Sequence, residues 1–235
     1  MSADLAPPRA PPPPPLALFD LDGTLLAGDT DVLWCEFLLD EGVLDRETFA
    51  AANRDVADRY GRGEITAVKF AAFYAATLAG RSPEQWSPLR ERFVTGVITQ
   101  LIGAASFDLI ARHRADGDRL VLTTATNRFL TAPIAALLGI ADLVATDLEV
   151  AATGEFTGRT TGLVNMRDGK VARLARWLGD EGLAPSSLAT ATFYSDSIND
   201  LPLLCAVGTP VVVDPDSRLQ AEAARRGWPV ISLLG

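Results

Sequence analysis

The chain has 235 residues, of which 48% are hydrophobic, and it carries a formal net charge of -9 at pH 7. This length can bury one full core plus a smaller appendage, as expected for a soluble globular protein. The acidic balance argues against nucleic acid or an anionic membrane surface as a partner, because phosphate groups select basic protein faces.

The cysteines and the start of the chain predict a cytoplasmic protein. Cys35 and Cys205 each lie in apolar surroundings, which predicts buried thiols in a reducing compartment. Two cysteines and one histidine cannot form a zinc cluster, and His113, near a predicted helix end, is expected at the surface. No apolar stretch has transmembrane length, and the first residues lack the apolar middle of a signal peptide.

The first half of the chain predicts a tail, a strand and a block of helices. Residues 1–15 are rich in proline, which predicts a disordered or polyproline tail. The apolar run LALFDLDGTLL, residues 16–26, predicts a buried strand. Residues 33–103 then carry apolar side chains at helical spacing. They predict a helical cap subdomain with aromatic residues in its core and hinges near Gly28 and Gly103.

The second half alternates between strands and helices. From Phe107 onward, short apolar runs alternate with helical patterns, which is typical of a parallel sheet covered by helices. Strands are predicted near residues 119–123, 143–145, 191–194 and 210–213, and a small hairpin within residues 149–162. We therefore predict an α/β fold whose core is a Rossmann-like doubly wound parallel sheet, formed by residues 16–32 and 104–235. Ligands bind at the carboxyl ends of the strands in such sheets.

Two acids follow the first predicted strand. Asp20 and Asp22 are two residues apart, so in an extended chain their side chains share one face. Carboxylates this close predict a bound divalent metal, a shared proton, or both. Because all nearby ligands are hard oxygen atoms, the predicted metal is Mg2+. Gly23 permits a sharp turn, and Thr24 places a hydroxyl beside the acids.

Polar residues also follow two later strands and open one helix. They are Thr124 to Asn127 in VLTTATN, Asp196 to Asp200 in FYSDSINDLPLL, and Lys170 in RDGKVARL. Each has an ordinary structural explanation as a helix cap, a turn residue or an exposed lysine. Because all of them fall at strand ends or helix starts, together they predict a phosphate site with a metal.

This set of residues resembles the four motifs of the haloacid dehalogenase superfamily of phosphohydrolases. The helical block after the first motif resembles the phosphoserine-phosphatase-like branch, which has a C1 cap. The motifs are Asp20-x-Asp22-Gly23-Thr24, then Thr124, then Lys170, then Asp196 with Asn199 and Asp200. The resemblance implies a Mg2+-dependent phosphoric monoester hydrolase that acts through an aspartyl phosphate. Its substrate would be a small amino-bearing metabolite such as phosphoserine or histidinol phosphate.

The resemblance also implies a role for each residue. Asp20 would be the nucleophile, and Asp22 would protonate the leaving alkoxide and later deprotonate water. Lys170 would neutralise charge repulsion and bind the phosphoryl group. The other roles fall to Thr124 and the Ala125 amide, which would bind phosphoryl oxygens at a helix amino terminus, and to the metal ligands Asp20, Asp196 and the Asp22 carbonyl, supported by Asn199 and Asp200.

Several positions depart from the phosphoserine phosphatase pattern. Those enzymes commonly have serine at position 23, and glycines at 125, 126, 195 and 197. Asp29 stands where they have a glutamate that holds the substrate amine, which favours a substrate with an ammonium group. Alternatively, Asp29 or Thr30 only caps the first helix. A substrate carboxylate would need a cation, and the candidates are Arg54, Arg59 and Arg62.

Three other classes of protein share parts of this pattern. A receiver-type phosphoacceptor signalling domain has a similar acidic pocket, but no large helical insertion follows its first strand. A dehalogenase of the same fold lacks the second acid of the first motif, which is present here as Asp22. A phosphotransferase of the same fold, passing phosphate to an alcohol, has the same residues. The sequence carries no signal for oligomeric state.

Overall fold

A computed structural model describes residues 13–233, so most of the predicted proline-rich tail lies outside the described residues. Within this range one sheet has seven strands in the order β4-β3-β2-β1-β5-β6-β7. The strands are β1 Leu16–Phe19, β2 Arg119–Asn127, β3 Asp142–Val150, β4 Phe156–Thr161, β5 Thr192–Ser195, β6 Thr209–Val213 and β7 Val230–Ile231. Neighbouring strands are parallel except β3 and β4, which form the predicted hairpin. The predicted fold class is confirmed.

The segment between β1 and β2, residues 30–100, is helical in the structure, and we name it the helical insertion. Its α-helices are α1 Thr30–Asp40, α2 Arg46–Gly61, α3 Ala67–Ala76 and α4 Pro83–Gly96. Each begins after a residue whose side chain accepts a backbone N–H of the first turn, and these caps are Asp29, Asp45, Thr66 and Ser82. Such caps satisfy donors that a helix start leaves unpaired, which explains where these helices begin.

The remaining helices cover the two faces of the sheet. They are α5 Ala104–Ala115, α6 Arg128–Leu137, α7 Asp168–Asp180, α8 Leu201–Ala206 and α9 Ser217–Arg226. Leu16 and Leu18 of β1 pack on the side of α7, α8 and α9, whereas Ala17 and Phe19 pack on the side of α5 and α6. A strand buried on both faces requires a continuous apolar run, as β1 has.

The helical insertion has an aromatic core that joins the core of the sheet. The Trp34 ring lies 5.9 Å from Trp86 and 5.2 Å from Phe93, measured between centroids, and all three are buried. The interpretation of Trp86 and Phe93 as core residues is therefore confirmed. Among the described residues no single helix is long and apolar enough to cross a membrane, although the bent pair Pro83–Gln100 and Ala104–Ala115 meets that test by length and composition.

Two expectations drawn from the sequence are wrong. Cys205 is exposed, because it lies on the outer side of the short helix α8, while Cys35 is buried as predicted. His113 is not a free surface residue. Its ring nitrogens lie 2.6 Å from Asp118 Oδ2 and 2.7 Å from the Tyr194 hydroxyl, and its ring packs edge-on against Phe19. A single polar residue in a helical pattern does not reveal which strand it will meet.

Candidate active site

The two central strands, β1 and β5, deliver acids to the same edge of the sheet. They run parallel with Phe19 beside Tyr194, so Asp20 and Asp196 both follow directly at their carboxyl ends. The Asp20 amide donates to the Tyr194 carbonyl at 3.0 Å and prolongs the pairing by one residue. Asp20 and Asp196 are far apart in the sequence, so this edge of the site depends on β1 and β5 being neighbours in the sheet.

The turn after Asp22 brings Gly23 and Thr24 against Asp196. Gly23 has a φ of 75°, and a Cβ atom there would lie 2.3 Å from Asp196 Oδ2. A side chain at this position would be strained by the positive φ and would push the Asp196 carboxylate out of its present place. The Thr24 hydroxyl donates to Asp196 Oδ1 at 2.8 Å, and the Asp196 amide donates back to the same hydroxyl at 3.0 Å. The turn thereby fixes the orientation of Asp196.

Lys170 lies at the centre of the acids. Its ammonium group donates to Asp20 Oδ1 at 3.0 Å and to Asp200 Oδ2 at 2.6 Å, and the residue is only 1% exposed. Burial by itself lowers the pKa of Lys170, but the two carboxylates outweigh burial and raise it above its usual value. Burial raises the pKa of Asp20, and the Lys170 charge opposes that rise. The lysine is therefore charged and balances part of the negative charge.

Asp22 is held by hydroxyl groups from two directions. It accepts the Thr30 amide at 2.8 Å and the Thr126 hydroxyl at 2.7 Å, and the Thr30 hydroxyl also donates to it. Burial raises the pKa of Asp22, and the hydrogen bonds from Thr30 and Thr126 oppose the rise. The sequence analysis placed Thr126 in a polar segment of the predicted site but gave it no role, and it considered Thr30 only as a helix cap. Thr126 could have been found, since residues 124 and 126 face the same side of an extended chain.

The predicted phosphate-binding residues Thr124 and Ala125 line the same cavity, but not at a helix start. Strand β2 continues to Asn127, with a register shift against β3 between Thr124 and Asn127, and α6 begins only at Arg128. Asn127 is the cap of that helix, since its Oδ1 accepts the Leu130 amide at 3.1 Å. Thr124 and Ala125 therefore lie on the irregular strand end just before α6, and Asn127, not Thr124, caps that helix.

The segment after β5 carries Asp200 and Asn199, the two residues predicted to support the metal. Asp200 is 3% exposed and accepts Lys170 and the Ser195 hydroxyl, the latter at 2.8 Å. Asn199 is half-buried, lines the cavity and accepts a hydrogen bond from Arg167 Nε at 3.1 Å. A short 3₁₀ helix, Ile198–Asp200, precedes α8.

Asp29 is both the cap of α1 and a wall of the cavity. Its Oδ1 accepts the Val32 amide at 3.0 Å, as the capping alternative predicted, and the residue also lines the cavity. Burial and the nearby Asp22 charge raise the pKa of Asp29 to about 7. The candidate arginines Arg54, Arg59 and Arg62 do not line the cavity, and Arg59 and Arg62 pair with acids on the surface of the insertion.

The cavity has a volume of about 300 Å³, acidic and hydroxyl groups on one side and an apolar wall on the other. The wall consists of Tyr60, Phe70 and Met166, with the Tyr60 and Phe70 ring centroids 4.1 Å apart. The sequence analysis assigned Tyr60 and Phe70 to the core, and Met166 had no assignment. Helical spacing cannot distinguish a side chain that fills a core from one that borders a cavity.

The oxygen donors at this site are of the chemical type that Mg2+ prefers. Asp20 and Asp196 offer carboxylate oxygens, and Asp22 offers its backbone carbonyl. Among the described residues, no group of three or more His, Cys, Asp or Glu side chains is placed to hold a metal ion. A metal here therefore needs main-chain oxygen and water in addition to side chains, which is the usual manner of Mg2+ binding.

Comparisons with known proteins agree with this fold. Residues 17–204 match the family model of haloacid dehalogenase-like hydrolases. A histidinol-phosphatase of Neisseria meningitidis is 36% identical over 217 residues, covering 92% of this chain and 98% of that protein. A phosphoserine phosphatase of Mycobacterium tuberculosis is 32% identical over 224 residues, covering 91% of this chain and 69% of that protein.

Solved structures agree with the fold. A protein of unknown function from Bordetella pertussis is 44% identical, with a TM-score of 0.88 over 93% of this chain and 98% of that chain. A substrate-bound phosphoserine phosphatase is 18% identical, with a TM-score of 0.68 over 94% of both chains, and it supports the fold alone.

The acidic site at the carboxyl edge of a doubly wound sheet and the comparisons together define the class as a hydrolase of phosphate esters with a Rossmann-like α/β fold. The chain belongs to the family of haloacid dehalogenase-like hydrolases. Within that family it is a phosphatase of the phosphoserine-phosphatase-like type. Family phosphatases of this kind generally use Mg2+ and form an aspartyl phosphate.

Proposed function

We propose that this phosphatase hydrolyses a small phosphomonoester with Asp20 as the nucleophile. The observation that carries the proposal is the buried Lys170, which donates to Asp20 at 3.0 Å and to Asp200 at 2.6 Å. An anionic nucleophile can approach an anionic phosphoryl group only where positive charge offsets their repulsion, and Lys170 supplies that charge. An Asp20 oxygen forms a bond to phosphorus while the bond from phosphorus to the leaving alkoxide oxygen breaks.

Asp22 is the proposed general acid and base. It gives its proton to the leaving alkoxide, and then takes a proton from the water whose oxygen attacks phosphorus and releases Asp20. The raised pKa of Asp22, caused by burial, suits a carboxyl group that must hold a proton and return it. Thr30 and Thr126 keep its oxygens in place during both steps.

Mg2+ is proposed to be held by Asp20, Asp196 and the Asp22 carbonyl, with Asn199 and Asp200 in support. When bound, Mg2+ would offset negative charge on the phosphoryl oxygens. Thr24 orients Asp196 for this purpose through the pair of hydrogen bonds at 2.8 and 3.0 Å. Thr124 and the amide of Ala125, which line the cavity, are proposed to contact the remaining phosphoryl oxygens.

The cavity lining supports a substrate with cationic groups and without a carboxylate. Of the described residues that line the cavity, Lys170 is the single cation, and it is already paired with two acids. A substrate carboxylate would thus be left without a partner, at a cost in binding. Asp29 is proposed to receive a substrate ammonium group, which would remove the unfavourable burial of its charge.

The apolar wall supports a ring on the same substrate. Tyr60, Phe70 and Met166 offer a surface against which a flat group can pack. Histidinol phosphate has an ammonium group, an imidazole ring and no carboxylate, whereas phosphoserine has a carboxylate and no ring. We therefore propose histidinol phosphate, or a phosphomonoester of the same design, as the substrate; the relative from Neisseria meningitidis bears a name that agrees with this.

Residues 33–103 are proposed to act as a cap over the site. They supply Tyr60 and Phe70 to the cavity wall, opposite the acids of the sheet. An aspartyl phosphate survives only where water enters in a controlled way, and a cap can provide that control. The proposed hinges lie near Gly28 and Gly103, where the chain enters and leaves the helical block.

A panel of phosphomonoesters assayed with Mg2+ tests the substrate proposal. Histidinol phosphate, phosphoethanolamine, phosphoserine and p-nitrophenyl phosphate separate the contributions of the ring, the ammonium group and the carboxylate. We expect kcat/KM to be highest for histidinol phosphate and lowest among the amino compounds for phosphoserine. A preference for phosphoserine would refute the substrate proposal while leaving the phosphatase activity intact. Phosphate release that falls when an amino alcohol is added would instead support a phosphotransferase.

A further inference from the structure

The last turn of α2 touches the core of the protein at two places. The Gly61 carbonyl accepts Arg218 Nη2 at 3.1 Å, at the start of α9. The neighbouring Tyr60 hydroxyl donates to Met166 Sδ at 2.9 Å, just before α7. Two consecutive residues of the helical insertion are therefore tied to two separate segments of the sheet domain.

On the core side, Arg218 leads to the segment that follows β5. Its own amide donates to Asp216 Oδ1 at 2.8 Å, and its Nε lies 3.8 Å from the same oxygen. The other oxygen of Asp216 accepts the Ile198 amide at 3.0 Å, and the Asp216 amide donates to the Asp196 carbonyl at 3.1 Å. Asp216 thus holds both the residue proposed as a metal ligand and the turn after it.

The second contact leads to the same segment. Arg167 follows Met166 and donates from Nε to Asn199 Oδ1 at 3.1 Å. Its φ of 53° is rare for a residue with a side chain, and such a backbone persists only where its surroundings hold it. Both contacts of α2 are therefore connected, through one arginine each, to residues 196–200.

We propose that Arg218 is a positioning residue that couples the placement of the helical insertion to the geometry of the metal-binding segment. It does not line the cavity, so it acts through Gly61 on one side and Asp216 on the other. When the insertion lies over the site, Arg218 joins it to the segment that carries Asp196. Opening of the insertion breaks that contact and loosens the segment. The coupling rests on the proposed role of Asp196.

The test compares Arg218→Met with Arg225→Met. Both arginines belong to α9, but the side chain of Arg225 pairs with Glu222 on the same helix. Hydrogen exchange of residues 46–62 reports the placement of α2, and calorimetry reports the Kd for Mg2+ alone. In the Arg218→Met variant we expect the backbone amides of α2 to exchange faster. We also expect this variant to bind Mg2+ about fivefold more weakly, which is the effect of one lost hydrogen bond. Arg225→Met should match the wild type in both.

The activity of the same variants separates a positioning role from a structural one. Arg218→Met should raise KM for the amino-bearing substrate more than it lowers kcat, with an unchanged thermal melt. Faster α2 exchange without weaker Mg2+ binding would overturn the coupling, and so would identical results for Arg218→Met and Arg225→Met. If Arg218→Met fails to fold, Arg218→Lys, which loses the fork of donors but keeps the charge, makes the same comparison. Coupled exchange and Mg2+ binding in a protein inactive on every phosphomonoester would support the coupling and refute the proposed function.

Discussion

The ammonium nitrogen of Lys170 lies 3.0 Å from Oδ1 of Asp20, although the two residues are 150 positions apart in the sequence. Two of the 21 basic residues are lysines, Lys69 and Lys170; of these two, Lys69 is exposed and Lys170 is buried. A compact point charge suits a site where one cation must sit between two carboxylates, here Asp20 and Asp200. Its loss therefore bears on both stability and catalysis.

Lys170→Met should reduce both the free energy of unfolding and the turnover rate. Removing one member of a buried ion pair typically costs about 3–5 kcal/mol, because the partner charge stays buried. Loss of one electrostatic contact in the reaction lowers kcat by about 100- to 1000-fold. Urea unfolding and initial rates measure the two effects. Lys69→Met, at an exposed position, is the control and should change neither; an active and fully stable Lys170→Met protein would contradict the assignment.

Asp20→Asn should abolish formation of the phosphoenzyme, because an amide cannot act as the nucleophile. Asp22→Asn should still accept the phosphoryl group from a good leaving group such as p-nitrophenol, yet hydrolyse the adduct slowly, since it lacks the general base. Intact mass measured after rapid quenching detects the adduct. An adduct on Asp20→Asn, or on a residue other than Asp20 in the wild type, would reject the two roles.

Thr126→Val should shift the pH dependence of hydrolysis. Burial raises the pKa of Asp22 and the hydrogen bond from Thr126 opposes that rise, so loss of the hydroxyl raises the pKa further. The limb of the pH–rate profile that reports Asp22 should move to higher pH. Thr126→Ser should restore the profile. Thr131→Val, which removes a buried hydroxyl from α6 instead, should leave it unmoved.

Asp29→Asn should stabilise the substrate-free protein, and more so at pH 8 than at pH 5. The folded pKa of about 7 lies above the usual value, so the ionised carboxylate destabilises the fold as pH rises from the unfolded pKa to about 7. Asparagine still caps α1, which keeps the helix intact. Thermal melts should show a gain of a few degrees at pH 8. An equal gain in thermal midpoint over the wild type at both pH values would contradict the raised pKa.

The same variant tests recognition of the substrate amine. KM for an amino-bearing phosphomonoester should rise many-fold, while KM for p-nitrophenyl phosphate, which has no amine, should stay near the wild-type value. Equal losses on both substrates together with lower thermal stability would mean that Asp29 only caps the helix.

Excess EDTA should abolish turnover, and Mg2+ should restore it and raise the thermal midpoint, because binding to the folded state alone adds stability. Asp196→Asn should lose the thermal response to Mg2+. Asp180→Asn, an acid at the exposed end of α7, should keep it. Full turnover in EDTA, or an unchanged response in Asp196→Asn, would exclude the proposed metal site.

The sequence by itself determined the fold class and the main members of the site. The continuous apolar run of β1, the alternation of strands and helices, and the polar residues at Asp20, Asp22, Thr124, Lys170 and Asp196 are all local patterns. Such patterns reflect burial and backbone geometry, which neighbouring residues dictate, and so they can be read without knowing what packs against them. The family motifs added the roles of these residues.

Only the tertiary structure decided the partners. The hydroxyls of Thr30 and Thr126 converge on Asp22 because distant elements meet at the site. Tyr60 of the insertion lines the cavity for the same reason. Local sequence patterns also did not predict three other features, which are the exposure of Cys205, the contact of His113 with Tyr194 and the hydrogen bond from Arg218 to Gly61. Each depends on which elements are neighbours in space, and local patterns do not show this because spacing along the chain does not measure distance across the fold.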